Sequence, residues 1–138
     1  MRWYESTFFE KDETLIPCIV EYDGTPIGYI QFYELASEDT LAYGYSPEEE
    51  PIFGLDQFIG ETAYWNRGIG TKLIRSMVAY LICSEEAKRI VMDPQAANNR
   101  ALHVYEKCGF VKKKFLPEHE WHEGSYRDCW LLEYEGEH

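Results

Sequence analysis

The chain has 138 residues, 45% of them hydrophobic and 16% aromatic, with a formal net charge of −12 at pH 7 and a pI near 4.7. That length buries a real core as a single domain over residues 1–138, and the acidity repels nucleic acid and anionic membrane surfaces while attracting cationic small molecules. The longest apolar stretch, around residues 77–83, is too short for a bilayer, the opening Met-Arg-Trp-Tyr-Glu-Ser is no secretion signal, and Cys18, Cys83, Cys108 and Cys129 lack metal-ligand spacing, so a cytoplasmic protein without a membrane, nucleic-acid or metal partner is expected.

Leu15–Tyr22 is apolar and β-prone, Asp23-Gly24-Thr25-Pro26 has turn chemistry, and residues 27–35 are β-prone again, which predicts an antiparallel hairpin. Residues 36–51 are acidic and tyrosine-rich and hold neither period, so a loop with room for a short strand is expected. Ile52–Ile59 returns to strand character, and residues 67–83 set Ile69, Leu73, Met77 and Leu81 four apart on one face of a helix that packs on a sheet. Residues 89–93 read as a short strand ended by Pro94. Asn98 or Asn99 then caps a helix with an inward stripe of Ala101, Leu102, Tyr105 and Cys108, stopped by Gly109. Strands at 110–116 and 127–134 follow, separated by the polar stretch 117–126. The order β-β-β-α-β-α-β-β predicts a mixed α/β domain.

The most pointed segment is residues 54–70, Gly-Leu-Asp-Gln-Phe-Ile-Gly-Glu-Thr-Ala-Tyr-Trp-Asn-Arg-Gly-Ile-Gly, an apolar strand leading through a glycine-punctuated turn into a helix. A helix start offers unsatisfied N–H donors and the positive end of the peptide dipole, so a pyrophosphate is held there without lysines. Gly-x-Gly alone also marks ordinary tight turns. Glu118-His119-Glu120-Trp121-His122-Glu123 crowds two histidines and three carboxylates, yet lacks the His-Glu-x-x-His spacing of a zinc helix. It reads as a loop, solvated or at the mouth of a site.

Strand, Arg-Gly-Ile-Gly-Thr, helix, strand, then Asn-Asn-Arg-Ala-Leu-His-Val-Tyr-Glu-Lys-Cys-Gly-Phe resembles the acetyl-CoA-dependent N-acetyltransferases of the GNAT superfamily. Within it, Gly-Leu-Asp-Gln-Phe-Ile-Gly-Glu, Asp93-Pro94, Leu-Pro-Glu-His-Glu-Trp-His-Glu-Gly and Asp-Cys-Trp-Leu-Leu-Glu-Tyr are similar to the aminoglycoside 6′-N-acetyltransferases, above all to the acetyltransferase half of the bifunctional acetyltransferase–phosphotransferase resistance enzymes. The likeness spans residues 17–134. It implies the GNAT fold, acetyl-CoA as cosubstrate, no metal, and a cationic acceptor such as an aminoglycoside, acetylated at a primary amine by direct attack in a ternary complex. Acetylation of another polyamine or small amine, or a non-catalytic acyl-CoA-binding remnant, are the alternatives.

The same resemblance implies residue roles. The pyrophosphate would rest on the backbone of Trp65, Asn66, Arg67, Gly68, Ile69, Gly70 and Thr71, with Trp65 replacing the usual Gln or Arg. Phe58 and Ile59 would flank the pantetheine arm, and Asn98 would contact it or cap the following helix. Asp56 would position the acceptor ammonium, whose pKa is roughly 10, and take its proton; a strand-terminating role is the structural alternative. Asp93 would bind an acceptor amino group, or simply form an Asp-Pro turn. Tyr105 would face the coenzyme sulfur, although aromatic residues on a helix stripe are commonly core. Glu118, Glu120 and Glu123 would draw in ammonium groups and Trp121 would pack on a sugar ring. The superfamily's usual N-terminal strand and helices have only residues 1–13 to correspond to, so the sheet is expected to carry a bare edge that a homodimer would cover.

Overall fold

The computed structural model describes residues 2–5, 15–22, 24–59 and 68–136. Its strands are β1 (Arg2–Glu5), β2 (Leu15–Tyr22), β3 (Thr25–Glu34), β4 (Ile52–Ile59), β5 (Arg89–Met92), β6 (Phe110–His122) and β7 (Ser125–Tyr134). The helices are α1 (Ser37–Ala42), α2 (Ile69–Ser84) and α3 (Asn99–Lys107), with a 3-10 turn at Pro47–Glu49. One seven-stranded mixed sheet runs β1-β2-β3-β4-β5-β7-β6, antiparallel except where β4 and β5 lie parallel. A mixed α/β architecture is what the alternating periods predict.

Strand alternation sends side chains to two separate cores. Phe53, Leu55, Ile90, Met92 and Leu132 join the main core beneath α2 and α3, where Leu73, Ile74, Met77 and Leu81 are fully buried. Each such side chain stabilises the fold by about 1.5–3 kcal/mol relative to exposure. The expected inward stripe of α3 is also buried. Ile52, Val91, Cys129 and Leu131 face the other way, into a smaller core with Leu35, Tyr33, Tyr43 and Tyr45. Beside it Arg89 bridges Glu49 at 2.7 Å and Glu133 at 2.8 Å, and the Tyr45 hydroxyl donates to Glu133 at 2.5 Å. These contacts pin the 3-10 turn to the sheet.

Three expectations are corrected. Residues 36–51 hold α1 and the 3-10 turn rather than a loop or strand. Both pieces are too short to show a period, and the second is set by Pro47 with the Ser46 N–H donating to Glu49 at 2.7 Å. The stretch 117–126 does not separate two strands, because β6 continues to His122 and turns at Glu123-Gly124 into β7. Both turn residues have positive φ, 49° and 82°, the twist that suits a two-residue hairpin loop. Third, the outer edge of β2 is not bare: β1 pairs with it from Arg2↔Glu21 to Glu5↔Cys18, and the sheet ends on that four-residue strand instead. Among the described residues no helix is long and apolar enough to cross a membrane.

Candidate active site

The parallel pairing of β4 with β5 lasts only from Ile52↔Arg89 to Gly54↔Val91. Beyond it β4 runs on to Ile59 paired with β3, while the chain after β5 turns away at Pro94 and follows β7 through a Gln95↔Cys129 bridge. The sheet therefore splits, and the split holds a cleft of 330 Å³. Tyr105 and Asn98 line it from α3, Asp56 and Asp93 from the two diverging strand ends, and Glu120 and His122 from the β6–β7 hairpin.

Alternation explains the placement. Asp56 follows Ile52 and Gly54, and Asp93 follows Val91, so both carboxylates belong to the α1 face, whereas Tyr105 arrives from the α3 face with its side chain buried. The gap in the sheet connects the two sides. A molecule in it meets the Tyr105 phenol and the Asn98 cap of α3 on one side and the carboxylates of Asp56, Asp93 and Glu120 on the other.

The electrostatics of the carboxylates follow from burial. Asp56 is pushed up to about 6, chiefly by loss of water and further by the nearby charge of Asp93, against a hydrogen bond from Gln31 Nε2 at 3.2 Å. Asp93 is also raised by burial, opposed by hydrogen bonds from His119 Nε2 at 2.9 Å and from the Tyr43 hydroxyl at 3.4 Å. Burial and the same two carboxylates raise the phenols of Tyr33 and Tyr43, which stay protonated donors. Tyr33 lies across Gly54, its register partner, so closely that a Cβ there would stand 2.2 Å from the ring.

On the α3 side, Gly68 has φ of 71°, a left-handed conformation natural to glycine, and caps α2. Among the described residues the first helical amide bonded back along the helix is Lys72 N–H, to Gly68 O at 3.1 Å; those of Ile69, Gly70 and Thr71 form the opening turn, where α-helical amides have no partner within the helix. The first turn of α2 itself holds no acidic residue to oppose an anion at the positive end of the helix dipole. Asn98 caps α3, accepting from Ala101 N–H at 3.2 Å, as well as lining the cleft. Phe58 and Ile59 continue β4 as expected, paired with Tyr29 and Gly28. Trp65, Asn66 and Arg67 lie outside the described residues.

The hairpin residues divide. Glu120 reaches the cleft and accepts from Gln95 Nε2 at 2.7 Å. Glu118, Glu123 and Trp121 are not among the residues lining it: Glu123 sits in the turn, and Trp121, 63% exposed, packs edge-on against Tyr126. Among the described residues no group of histidines, cysteines and carboxylates could hold a metal ion. Gln31, Tyr33 and Tyr43 join the site unannounced by the sequence, whereas His119 and His122 belong to the crowded stretch 118–123 but were given no role of their own. Gln31 and Tyr33 were recoverable in principle, as the register partners of Asp56 and Gly54.

Comparison with known proteins fits this geometry. The profile described as "Acetyltransferase (GNAT) domain" matches residues 2–117. The aminoglycoside N(6′)-acetyltransferase type 1 of Klebsiella pneumoniae is 38% identical over 103 residues, 73% of this chain and 50% of that protein. The lysine N-acyltransferase MbtK of Mycobacterium tuberculosis is 30% identical over 121 residues, 86% of this chain and 55% of that protein. Among solved structures, AAC(6′)-Ib in complex with ribostamycin and coenzyme A superposes with a TM-score of 0.66 at 30% identity, covering 88% of this chain and 64% of that one. The chain thus spans about half the length of the curated relatives it matches. With most of its length matched by one family profile and its sheet split beside a glycine-capped helix, the chain belongs to the GNAT acetyltransferase family.

Proposed function

We propose that the protein is an aminoglycoside 6′-N-acetyltransferase that moves an acetyl group from acetyl-CoA to a primary amine by direct attack within a ternary complex. The carrying observation is the split between β4 and β5, with two carboxylates on one face and a helix start and a phenol on the other. The aminoglycoside acetyltransferase relative and the AAC(6′)-Ib complex support the acceptor class.

The residues fit the cosubstrate. Amides of Gly68, Ile69, Gly70 and Thr71 suit its diphosphate, the β5-facing backbone of β4 beyond Gly54 suits an extended amide-bearing arm, and Asn98 and Tyr105 stand at the cleft. Acetyl-CoA, when bound, supplies a thioester carbonyl open to attack. Asp93 and Glu120 hold the cationic acceptor by charge. Asp56, ionised above pH of about 6, accepts a proton from the ammonium nitrogen and frees its lone pair. A main-chain N–H of β4 would meet the carbonyl oxygen as the nitrogen bonds to the carbonyl carbon and the carbon–sulfur bond breaks; the Tyr105 hydroxyl would donate its proton to the departing sulfur and recover one from the acylated nitrogen, which sheds its extra proton as the amide forms. No protein nucleophile is required.

The lysine N-acyltransferase relative favours a second reading, acylation of a different small amine in the same acidic mouth. Thiol release measured with kanamycin- and tobramycin-like acceptors, lysine and spermidine separates them. Release confined to aminoglycosides supports the first reading, release confined to the others supports the second, and none above the hydrolysis background with any acceptor removes both. Calorimetry that finds coenzyme A binding without acceptor binding would instead indicate an acyl-CoA-binding remnant.

A further inference from the structure

The register of the β6–β7 hairpin breaks between Leu116↔Cys129 and Glu120↔Arg127, with three residues on β6 set against the single Asp128 on β7. The excess is taken up at Pro117, Glu118 and His119, with Glu118 at φ of 48° and its N–H donating to Asp128 Oδ1 at 2.9 Å. Bulges of this kind re-aim a side chain. Here the side chain is His119, whose Nε2 lies 2.9 Å from Asp93 Oδ2 and 3.3 Å from the Tyr43 hydroxyl, with the two rings 6.0 Å apart. The segment carrying Asp93 is fixed independently, by Trp130 N–H donating to Pro94 O at 3.0 Å and Ala96 N–H to Asp128 O at 2.8 Å.

Donors from two distant parts of the chain, α1's end and the bulge, thus converge on one oxygen of one cleft carboxylate. Among the described residues both hydrogen bonds to Asp93 fall on Oδ2, which leaves Oδ1 to face a ligand. A carboxylate accepts only, so the proton on His119 must sit on Nε2. We propose that His119 is a positioning residue for the acceptor: its bulge-delivered Nε2–H, with Tyr43, fixes the rotamer of Asp93 so that Oδ1 is presented to an ammonium group in the cleft.

This inference rests on the acetyltransferase reading for its kinetic test and on spectroscopy for a test of its own. His119→Leu, with no donor, should raise the acceptor KM about tenfold, a loss near 1.4 kcal/mol, with kcat and acetyl-CoA KM within about twofold. His119→Gln, whose amide can donate from a similar reach, should recover most of the affinity. In an Asp93→Asn background, His119→Leu should add almost nothing. An acceptor KM unchanged in His119→Leu, or an equal loss with Asp93 already replaced, overturns the proposal. Should no acceptor turn over, the functional reading fails separately, and long-range nitrogen–proton NMR still decides this one. A proton on Nε2 of His119 that redistributes in Asp93→Ala supports it, and a dominant Nδ1–H form overturns it.

Discussion

Replacing Asp56 with Asn should disable the enzyme and stabilise the protein. Asp56 is displaced from 3.8 to about 6, which at about 1.4 kcal/mol per unit corresponds to roughly 3 kcal/mol of penalty for holding the charge in the fold. Water reaching the half-buried group trims this, so a gain of about 1.5–3 kcal/mol is expected at neutral pH, or a rise in Tm of roughly 5–10 °C. The sign depends on pH. Below 3.8 the carboxyl is protonated in both folded and unfolded chains and carries no penalty. As pH rises to about 6, the unfolded chain ionises first and the native state loses stability, and above that the difference is constant. Urea melts of wild type and Asp56→Asn from about pH 4 to 7.5 measure it, the Gln31 bond being available to the amide oxygen as it is to the carboxylate. A variant no more stable than wild type at neutral pH, with a difference independent of pH, would refute the claim that burial and Asp93 load this group with charge it would otherwise shed.

In turnover, kcat/KM should climb as pH rises through about 6 while Asp56 ionises, and Asp56→Asn should lose that limb; a rate that falls over the same range rules Asp56 out as the base. Tyr105→Phe should lower kcat about 100-fold with coenzyme A affinity intact by calorimetry, whereas an unchanged kcat would return Tyr105 to a packing role. Gly54→Ala drives a methyl into the Tyr33 ring and should cost about 2–3 kcal/mol in urea melts. Adding Tyr33→Ala should relieve much of that cost, and strict additivity would mean the contact is not its source.

The main core was legible because its elements repeat: the four-residue spacing of Ile69, Leu73, Met77 and Leu81 admits one buried face, and the structure buries it. The caps were also legible, an asparagine at 98 or 99 before α3, which the structure resolves as Asn98, and Gly109 after it, since few residue types serve those positions. Asp56, Asp93, Tyr105 and Glu120 were named and share one cleft. The acceptor side was less legible for a physical reason. It is built by register and irregularity: Tyr43 ends a six-residue helix with no visible period, and His119 owes its direction to a bulge two residues deep. Neither leaves a pattern along the chain, so Glu118, Trp121 and Glu123 looked as eligible as Glu120, the one of the four that lines the cleft.

Only three residue pairs tie β4 to β5, so the sheet behaves as two wings sharing a short seam. One wing carries the hairpin with Glu120 and His122, and the other carries β4 with Asp56. β5 alone joins the two wings, so substitutions at the hairpin should alter the width and charge of the entrance with little effect on the opening turn of α2. On the proposed reading, coenzyme affinity and acceptor choice would then be adjustable separately.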